Sequence, residues 1–326
     1  MKRLVCAAAA VILAAASAYA EGEAEFTAQN RELDGKVFHS VKAVRVEGAF
    51  CAVSAAGGSV QGVKVGVSIE DEYTAVHYEV KGDTLHVWVE RDWDLFTLFP
   101  TGENTIDFSL PEGTDYLVNT SSGNIELKNH RTDTIKLVTA SGSIEARACS
   151  GDMVLSSSSG NIKLMEAKGD VKSRTASGDQ LLENIRGSLT CRSGSGNLEL
   201  NDVGGDVKAH TASGSVTVTG VTGRELDIRS LSGAQRLSSV NAALNISSVS
   251  GEIAGERITL GGASTFHTTS GQICLELTNR EDCSFTLKSV SGSLAVGEER
   301  SRKRLTIPAG DIQVKATSLS GSIRIE

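Results

Sequence analysis

From residue 116 to residue 326, short alternations of apolar and polar residues are separated by glycine at regular intervals. The segments Asn161-Ile-Lys-Leu164 and Asp170-Val-Lys-Ser173 show the pattern. Because successive side chains of a β-strand point to opposite faces, each alternation predicts a short strand with one apolar face. Such a short strand buries too little surface to be stable alone, so the strands must stack on further copies of themselves.

A short motif, which we call the phrase, separates the alternating segments. It consists of Ser or Thr, any residue, then Ser-Gly, and it occurs eleven times. Its glycines are Gly123, Gly142, Gly160, Gly178, Gly196, Gly214, Gly233, Gly251, Gly271, Gly292 and Gly321. Successive copies lie 18 to 21 residues apart, except for 29 before the last. A second set of glycines, often in Gly-Asp, falls midway: Gly151, Gly169, Gly187, Gly205 and Gly223. Glycine reaches positive φ without a Cβ clash, so we expect a turn at each of these positions.

The repeat predicts an all-β fold, a parallel β-helix (β-solenoid) of about 18 residues per coil over residues 116–326. Half a repeat is too short for a crossover helix, and an antiparallel sandwich does not need one phrase at a fixed spacing. The bias of parallel crossovers favours a right-handed helix, with a left-handed, three-faced helix as the alternative. In either case Ile144, Ile162 and Leu198 should share one interior column.

Residues 21–115 lack the phrase, but their pattern also predicts strands. Their alternating or β-branched segments are Val41–Val46, Val63–Ile69, Ala75–Val80 and Thr84–Val89. Eleven of the fourteen aromatic residues lie between Phe26 and Tyr116. We expect an aromatic-rich β cap that covers the exposed edge and open core of the first coil.

The first twenty residues have the composition of a secretory signal peptide. Lys2 and Arg3 precede the apolar run Leu4–Ala16, and small residues follow at Ala18 and Ala20. A retained anchor is the alternative, but this run is too short to cross a hydrocarbon core of about 30 Å. We therefore expect an exported mature chain without a transmembrane segment, in the periplasm, on the cell surface or in the medium.

The charge and the cysteine and histidine content argue against several functions for this protein. With 40 acidic and 32 basic residues, the net charge of −8 argues against nucleic-acid binding. No cysteine or histidine lies at a metal-ligand spacing, and the Gly-Asp turns lack the full calcium-binding repeat, so no metal or cofactor is expected. Cys274 and Cys283 could form a disulfide, although free buried thiols are the favoured interpretation.

Three copies of the repeat carry a family resemblance: Ser122-Gly-Asn-Ile125, Ser141-Gly-Ser-Ile144 and Ser159-Gly-Asn-Ile162. With the preceding strand Ile106–Gly113, they resemble the bacterial putative-adhesin β-solenoid domain family, exported domains of unknown function. The resemblance covers about residues 41–326. It implies a β-helical fold and an envelope or surface location, and it supplies no catalytic residue.

Two features are candidates for binding. Lys136, Lys172 and Lys208 should lie on alternate coils of one face, either as a solvated surface or as a stripe for an anionic glycan. The second is the aromatic cluster formed by Trp88, Trp93, Phe96 and Phe99. It could anchor a partner or be buried as a cap over the first coil.

Two segments near the C-terminus interrupt or end the repeat. Residues Glu298–Arg304 fall in the longest interval and are expected to form a solvated loop. Residues Ile323–Ile325 should form an open last coil that could serve oligomerisation.

The function that fits best is that of an exported, non-enzymatic β-solenoid, an adhesin-like or envelope scaffold protein. Its partner would be an envelope glycan or an extracellular protein. A polysaccharide lyase or hydrolase on the same fold is one alternative, and it would need acids and bases that converge on adjacent coils. A purely structural periplasmic role is the other. No serine lies in a G-x-S-x-G elbow, so a catalytic triad is not expected.

Overall fold

The computed structural model describes residues 30–48, 50–70, 74–91 and 103–326. The predicted signal peptide and the residues Trp93, Phe96 and Phe99 lie outside these ranges. The described residues form twenty-eight strands joined in one continuous sheet. Residues 30–33 are helical, and a 3-10 turn spans Arg280–Asp282. Within the described ranges, no helix is both long enough and apolar enough to cross a membrane.

The strands before the first repeat and in its first coils are β1 Val37–Phe38, β2 Ala43–Gly48, β3 Ala52–Gly58, β4 Val63–Ser68, β5 Thr74–Lys81, β6 Thr84–Arg91, β7 Thr105–Pro111, β8 Asp115–Thr120, β9 Ile125–Lys128, β10 Arg131–Thr139, β11 Ile144–Ser157, β12 Ile162–Lys168, β13 Val171–Thr175 and β14 Gln180–Arg186. The remaining strands are β15 Leu189–Ser193, β16 Leu198–Val203, β17 Val207–Ser213, β18 Val216–Ser232, β19 Gln235–Ser250, β20 Ile253–Leu260, β21 Ser264–Ser270, β22 Ile273–Leu277, β23 Cys283–Ser291, β24 Leu294–Val296, β25 Glu299–Ser301, β26 Arg304–Ile307, β27 Ile312–Ser320 and β28 Ile323–Ile325.

The repeated segments stack in parallel and in register. Ile144 pairs with Ile162, Ile162 with Gln180, and Gln180 with Leu198. All four side chains are buried in one interior column, where the Gln180 Nε2 donates a hydrogen bond of 2.6 Å to the carbonyl oxygen of Arg192 and the Gln180 Oε1 has no hydrogen-bond partner. The predicted all-β, solenoid-like fold is therefore confirmed, whereas its handedness stays a prediction.

Each repeat contains three strand segments that we name A, B and C. In one repeat, segment B is residues 162–165, segment C is residues 167–168 and segment A is residues 171–175. A residue in the left-handed region, here Glu166 with φ 59°, turns the chain from B to C. Equivalent left-handed corners recur at Asn129, Ala148, Asn184, Asp202 and Gly220. The sequence pattern did not mark these corners, because most of them are not glycine.

The Ser-Gly turns stack with almost no space between coils. A Cβ placed on Gly160 or Gly178 would lie less than 3.0 Å from the carbonyl oxygen of the equivalent glycine in the neighbouring coil. The same holds for the other Ser-Gly glycines except Gly123, whose Cβ would meet the carbonyl oxygen of Cys51. Of these glycines, Gly233 alone has positive φ. Bends occur at the Ser-Gly positions, where close approach of neighbouring backbones, and not positive φ, requires glycine. Of the midway glycines, Gly151, Gly169 and Gly187 have positive φ, but the turns expected at Gly151 and Gly223 are not found, because these residues lie within β11 and β18.

The Ser or Thr that opens each phrase is buried, and at Thr139, Ser157 and Thr175 its hydroxyl links two coils. The Ser157 hydroxyl accepts a hydrogen bond from the Gly160 N–H at 2.8 Å and donates to the Gly142 carbonyl oxygen at 3.0 Å. Thr139 makes the equivalent pair of hydrogen bonds. Because these hydroxyls bind a backbone donor in their own turn and a backbone acceptor below, they help to fix the register of the early coils. The equivalent hydroxyls of Thr211, Ser230, Ser248 and Thr268 are buried without a hydrogen-bond partner.

The residue after Ser-Gly adds a second ladder on the surface where it is Asn or Asp, at Asn124, Asn161, Asp179 and Asn197. The Asn161 side-chain oxygen accepts a hydrogen bond from the Asp179 N–H at 2.9 Å. Asp179 in turn accepts from the Asn197 N–H at 2.7 Å. The Gly-Asp turns repeat this arrangement, since Asp170 accepts from the Ser188 N–H at 2.9 Å. These carboxylates and amides therefore bind backbone of the next coil.

The N-terminal strands belong to the same stack. Strand β2 pairs in parallel with β6 on one side and with β8 on the other, so hydrogen bonding crosses the predicted boundary at residues 115 and 116. The aromatic residues of this region partly fill the core, where Phe108 and Tyr116 pack edge to face at 5.9 Å. Strands β4 and β5 run antiparallel to β7 and β6, and β5 covers the outer edge of β6.

The C-terminal end has an unexpected strand order. Strand β27 lies between β21 and β23, and β28 lies between β22 and β24. Ile323 and Ile325 are fully buried, so the prediction of an open last coil there is wrong. The expected loop at Glu298–Arg304 is also wrong in part, because β25 and β26 form antiparallel pairs with β24 and β23. These antiparallel strands lie against the last parallel coil and limit its pairing with other chains.

All five cysteines among the described residues are free thiols. Cys283 is buried and Cys274 is half-buried, and no disulfide joins them. Burial raises the pKa of Cys191 to about 12, so this thiol is neutral and packs as a small apolar side chain.

Gly178→Ala tests the close stacking of the turns. The added Cβ would collide with the Gly160 carbonyl, so we expect the free energy of unfolding to fall by about 2 kcal/mol or more in chemical denaturation. Gly204→Ala is the matched control, because its Cβ would meet nothing closer than the Ile185 carbonyl oxygen at 3.7 Å. Equal losses in the two variants would contradict this account.

Ser157→Ala tests the hydroxyl link between coils. Its removal leaves the Gly160 N–H without its partner, and we expect a loss of about 1–3 kcal/mol in the same denaturation experiment. Ser158→Ala changes the neighbouring exposed serine and should leave stability nearly unchanged. A stable Ser157→Ala protein would show that the hydroxyl is not needed.

Candidate binding surfaces

The three lysines predicted as a stripe point outward from segment A and are exposed. Val154 separates Lys136 from Lys172 in the register, and Thr190 separates Lys172 from Lys208. Neighbouring strands lie about 4.8 Å apart, so successive lysines are spaced by roughly 10 Å. The structure therefore places them in one straight row along the stack.

A second basic row, which sequence reasoning missed, lies two residues further along segment A. Arg174 faces Arg192 on the next strand, and Arg192 faces His210. The period of two that placed the lysines outward also places these residues outward, so the same pattern could have identified them. We call Lys136, Lys172, Arg174, Arg192, Lys208 and His210 the basic face.

The basic face is short of counter-ions. Within the part of the chain that the structure describes, no carboxylate lies within 4.0 Å of its lysines or arginines. The acid at its border, Asp227, faces Lys208 in the register but accepts two hydrogen bonds from Arg229, at 3.1 and 2.9 Å. Like charges on adjacent strands repel, so Arg174 and Arg192 oppose folding unless an anion binds them.

His210 titrates under the influence of this charge. Burial lowers its pKa, and the positive charges of Arg229, Arg192 and Lys208 lower it further, while Asp227 acts in the opposite direction. The imidazole is therefore neutral at pH 7. A bound anion would favour the protonated form, because it would offset the neighbouring cations.

A long groove of about 1180 Å³ follows the left-handed corners on another side of the stack. It is lined by the amides and acids Asn129, Glu166, Asn184 and Asp202. The cations Arg131, Lys168 and Arg186 also line it. Two of the charged groups are in ion pairs, Arg131 with Glu112 at 2.9 Å and Glu166 with Arg147 at 3.1 Å.

The floor of the groove holds buried side chains of low reactivity. His130 lies one strand from Cys149, and its Nε2 is 2.7 Å from the Thr114 carbonyl oxygen. Burial lowers the pKa of His130 and raises the pKa of Cys149. Both groups are therefore neutral at pH 7, and the thiol is not in the nucleophilic thiolate form.

Trp88 lies on β6 in the first coil and is half-buried. It stacks on His77 with ring centroids 5.4 Å apart, and His86 packs against it at 5.3 Å. Trp88 shares the register row of Arg174 but lies five strand spacings away, roughly 24 Å. The structure therefore does not bring Trp88 next to the lysines, and Trp93 lies outside the described residues.

No three His, Cys, Asp or Glu side chains in the described ranges are grouped so that they could hold a metal ion. The nearest sequence approach to a calcium repeat, Gly204-Gly205-Asp206, has its carboxylate occupied. Asp206 accepts from the Arg224 N–H at 2.9 Å and pairs with the Arg224 guanidinium at 2.6 Å.

Comparison with known proteins matches the chain to a family model and to solved structures. The family model described as Toastrack DUF4097 matches residues 57–204 and again residues 188–326. A solved structure described as a putative cell adhesion protein from Clostridium sporogenes is 10% identical, with 89% of this chain and 96% of that chain covered and a TM-score of 0.21. No curated protein matches the sequence.

The titration of His210 tests the electrostatics of the basic face. We expect its NMR titration midpoint below the usual 6.5. Arg192→Gln removes a positive charge and should raise the midpoint, whereas Asp227→Asn removes a negative charge and should lower it. The midpoint of His130, which lies at the groove, should change in neither variant. A shift of the opposite sign would contradict the charge arrangement.

Proposed function

The chain belongs to the family described as Toastrack DUF4097, and we propose that it is an exported, non-enzymatic, adhesin-like envelope protein. We propose further that its basic face binds a polymer with regularly spaced acidic groups, such as an acidic envelope glycan. The family description names no activity, so the proposal rests on the chemistry of the surface.

The alignment of the opposed Arg174 and Arg192 beside the lysine row on one face, without a counter-ion, carries the proposal. A chain with a net charge of −8 keeps at least five cations clustered on one face, against their mutual repulsion. A bound polyanion would relieve that repulsion. Arginine also suits this role, since its planar guanidinium can donate two hydrogen bonds to one carboxylate or sulfate.

The spacing favours a polymer over a single small anion. Arginines recur at about 4.8 Å and lysines at roughly 10 Å along the stack, so one extended chain could contact several of them. This part of the proposal uses a stiff parallel β-helix of about 18 residues per coil, which the pairing of Ile144 with Ile162 supports. The right-handed form remains the expected one.

Export rests on the sequence of the first twenty residues, with Lys2 and Arg3 before an apolar run and Ala20 at the proposed cleavage site. The absence of catalysis is also a proposal. It is supported by the groove, where Glu166 is tied to Arg147 and the two buried floor groups are neutral.

The proposal is tested by titrating the mature protein with a polyuronate and with neutral dextran in calorimetry. We expect binding of the polyuronate alone, weakened by salt because several ionic contacts are made. Arg174→Glu combined with Arg192→Glu should reduce affinity at least tenfold. The polymer length after incubation should be unchanged, whereas depolymerisation would favour the polysaccharide lyase or hydrolase alternative.

Lys168→Glu combined with Arg186→Glu is the matched control. These cations also face each other on adjacent strands, but they line the groove. The charge change is identical, so a general loss of positive charge would weaken binding in both variants. Loss of binding in the groove variant alone would contradict the basic face as the site.

A further inference from the structure

Large aliphatic side chains lie exposed in a row on the last coils. They occupy the variable position of the repeated phrase, just before Ser-Gly. Leu231 is 60% exposed, Val249 49%, Leu319 56% and Val290 73%. The strand register places them, with Thr269, on five neighbouring strands in the order Leu231, Val249, Thr269, Leu319 and Val290. We call this row the apolar stripe.

Folding does not require large side chains at this position. The earlier copies of the phrase carry small residues there, namely Ser121, Ala140, Ser158, Ala176, Gly194 and Ala212. Among the described residues, eight large aliphatic side chains are exposed, and four of them are in the apolar stripe. A contiguous apolar patch on a solvated surface is typical of an interaction site.

The stripe ends in a cavity with a basic rim. The cavity has a volume of about 370 Å³ and is lined by Val290 and Leu319 together with Lys288, Lys303 and Arg304. Lys288 faces Arg304 across the antiparallel pair of β23 and β26. No ion pair of these three cations occurs in the described part of the chain. The complementary occupant therefore carries large apolar side chains and negative charge.

One segment of the chain has this composition. Residues 92–100 read Asp-Trp-Asp-Leu-Phe-Thr-Leu-Phe-Pro, with two acids, no base and three aromatic residues. Aromatic residues are the usual anchors of interfaces, and a cavity of this size can accept one ring. We propose that residues 92–100 of one copy of the protein bind the apolar stripe of a second copy, with the acids against Lys303 and Arg304.

The contact must be between two copies. Residues 92–100 follow β6, which lies twelve strand spacings from β23, or roughly 58 Å at 4.8 Å each. The chain between Arg91 and Glu103 reaches at most about 20 Å from its ends, even when fully extended. The segment therefore cannot reach the stripe of its own chain.

Strand β6, which the segment follows, lies at the opposite end of the stack from the stripe, so the proposed contact is heterologous. Such contacts propagate into open chains unless a rotation closes them. The proposal does not depend on the glycan-binding function, because the apolar stripe and the basic face share no residue.

Sedimentation velocity of the mature protein over a range of concentrations tests the proposal. We expect the sedimentation coefficient to rise with concentration without a plateau at the dimer. A stripe variant, with Leu231→Ala, Val249→Ala, Leu319→Ser and Val290→Ser, copies the small residues of the earlier repeats and should remain monomeric. A segment variant, with Trp93→Ser, Phe96→Ser and Phe99→Ser, should also remain monomeric. Thermal unfolding of both variants should match the wild type.

Mixing the two variants gives the sharpest result. The stripe variant retains an intact segment and the segment variant an intact stripe, so together they should form a one-to-one dimer that grows no further. Lys303→Glu with Arg304→Glu should weaken association of the otherwise wild-type chain at least tenfold. Wild-type protein that stays monomeric, a segment variant that still associates, or variants that do not combine would each overturn the proposal.

Discussion

The contact between backbones of successive Ser-Gly turns governs the rest of this structure. Each turn lies so close to the one below that no Cβ fits between them, as at Gly160 above Gly142. The buried hydroxyl of Ser157 then fixes the two turns relative to each other, because it binds a donor in its own coil and an acceptor in the next. Register follows from this contact, since a shift by one residue would place a Cβ against the carbonyl and turn the apolar residues outward.

Because the register is fixed, residues at equivalent positions of successive repeats form continuous rows on the surface. A side chain at one position of the repeat always has the equivalent side chains of the neighbouring coils at about 4.8 Å on either side. Two arginines at equivalent positions, Arg174 and Arg192, therefore become a line of charge, and aliphatic residues at the variable position become an apolar line. The interior is uniform because the stack demands it, whereas the outward rows vary freely from coil to coil. We therefore expect binding on this scaffold to depend on the side chains of the outward rows.

The repeat in the sequence was sufficient to predict parallel stacking and the interior column of Ile144, Ile162 and Leu198. The two ends were not predictable in this way, because the position of β27 between β21 and β23 depends on pairings between residues far apart in the chain. The corner at Glu166 was not predicted, because a residue other than glycine in the left-handed region cannot be recognised from the repeat pattern. The alternation predicted that the lysines of the basic face point outward. The same alternation also places Arg174, Arg192 and His210 outward, two residues further along each strand, but these were not among the predicted residues.

The strand order at the ends limits how the molecule can associate. An open parallel coil would offer unpaired N–H and C=O groups to any other chain. Here β5 lies against β6 at one end, and β25 and β26 lie against β24 and β23 at the other. The backbone groups of the terminal parallel coils are thereby paired within the chain. We therefore expect contacts with other molecules to be made mainly by side chains on the faces, where the cations without ion pairs and the exposed aliphatic residues lie.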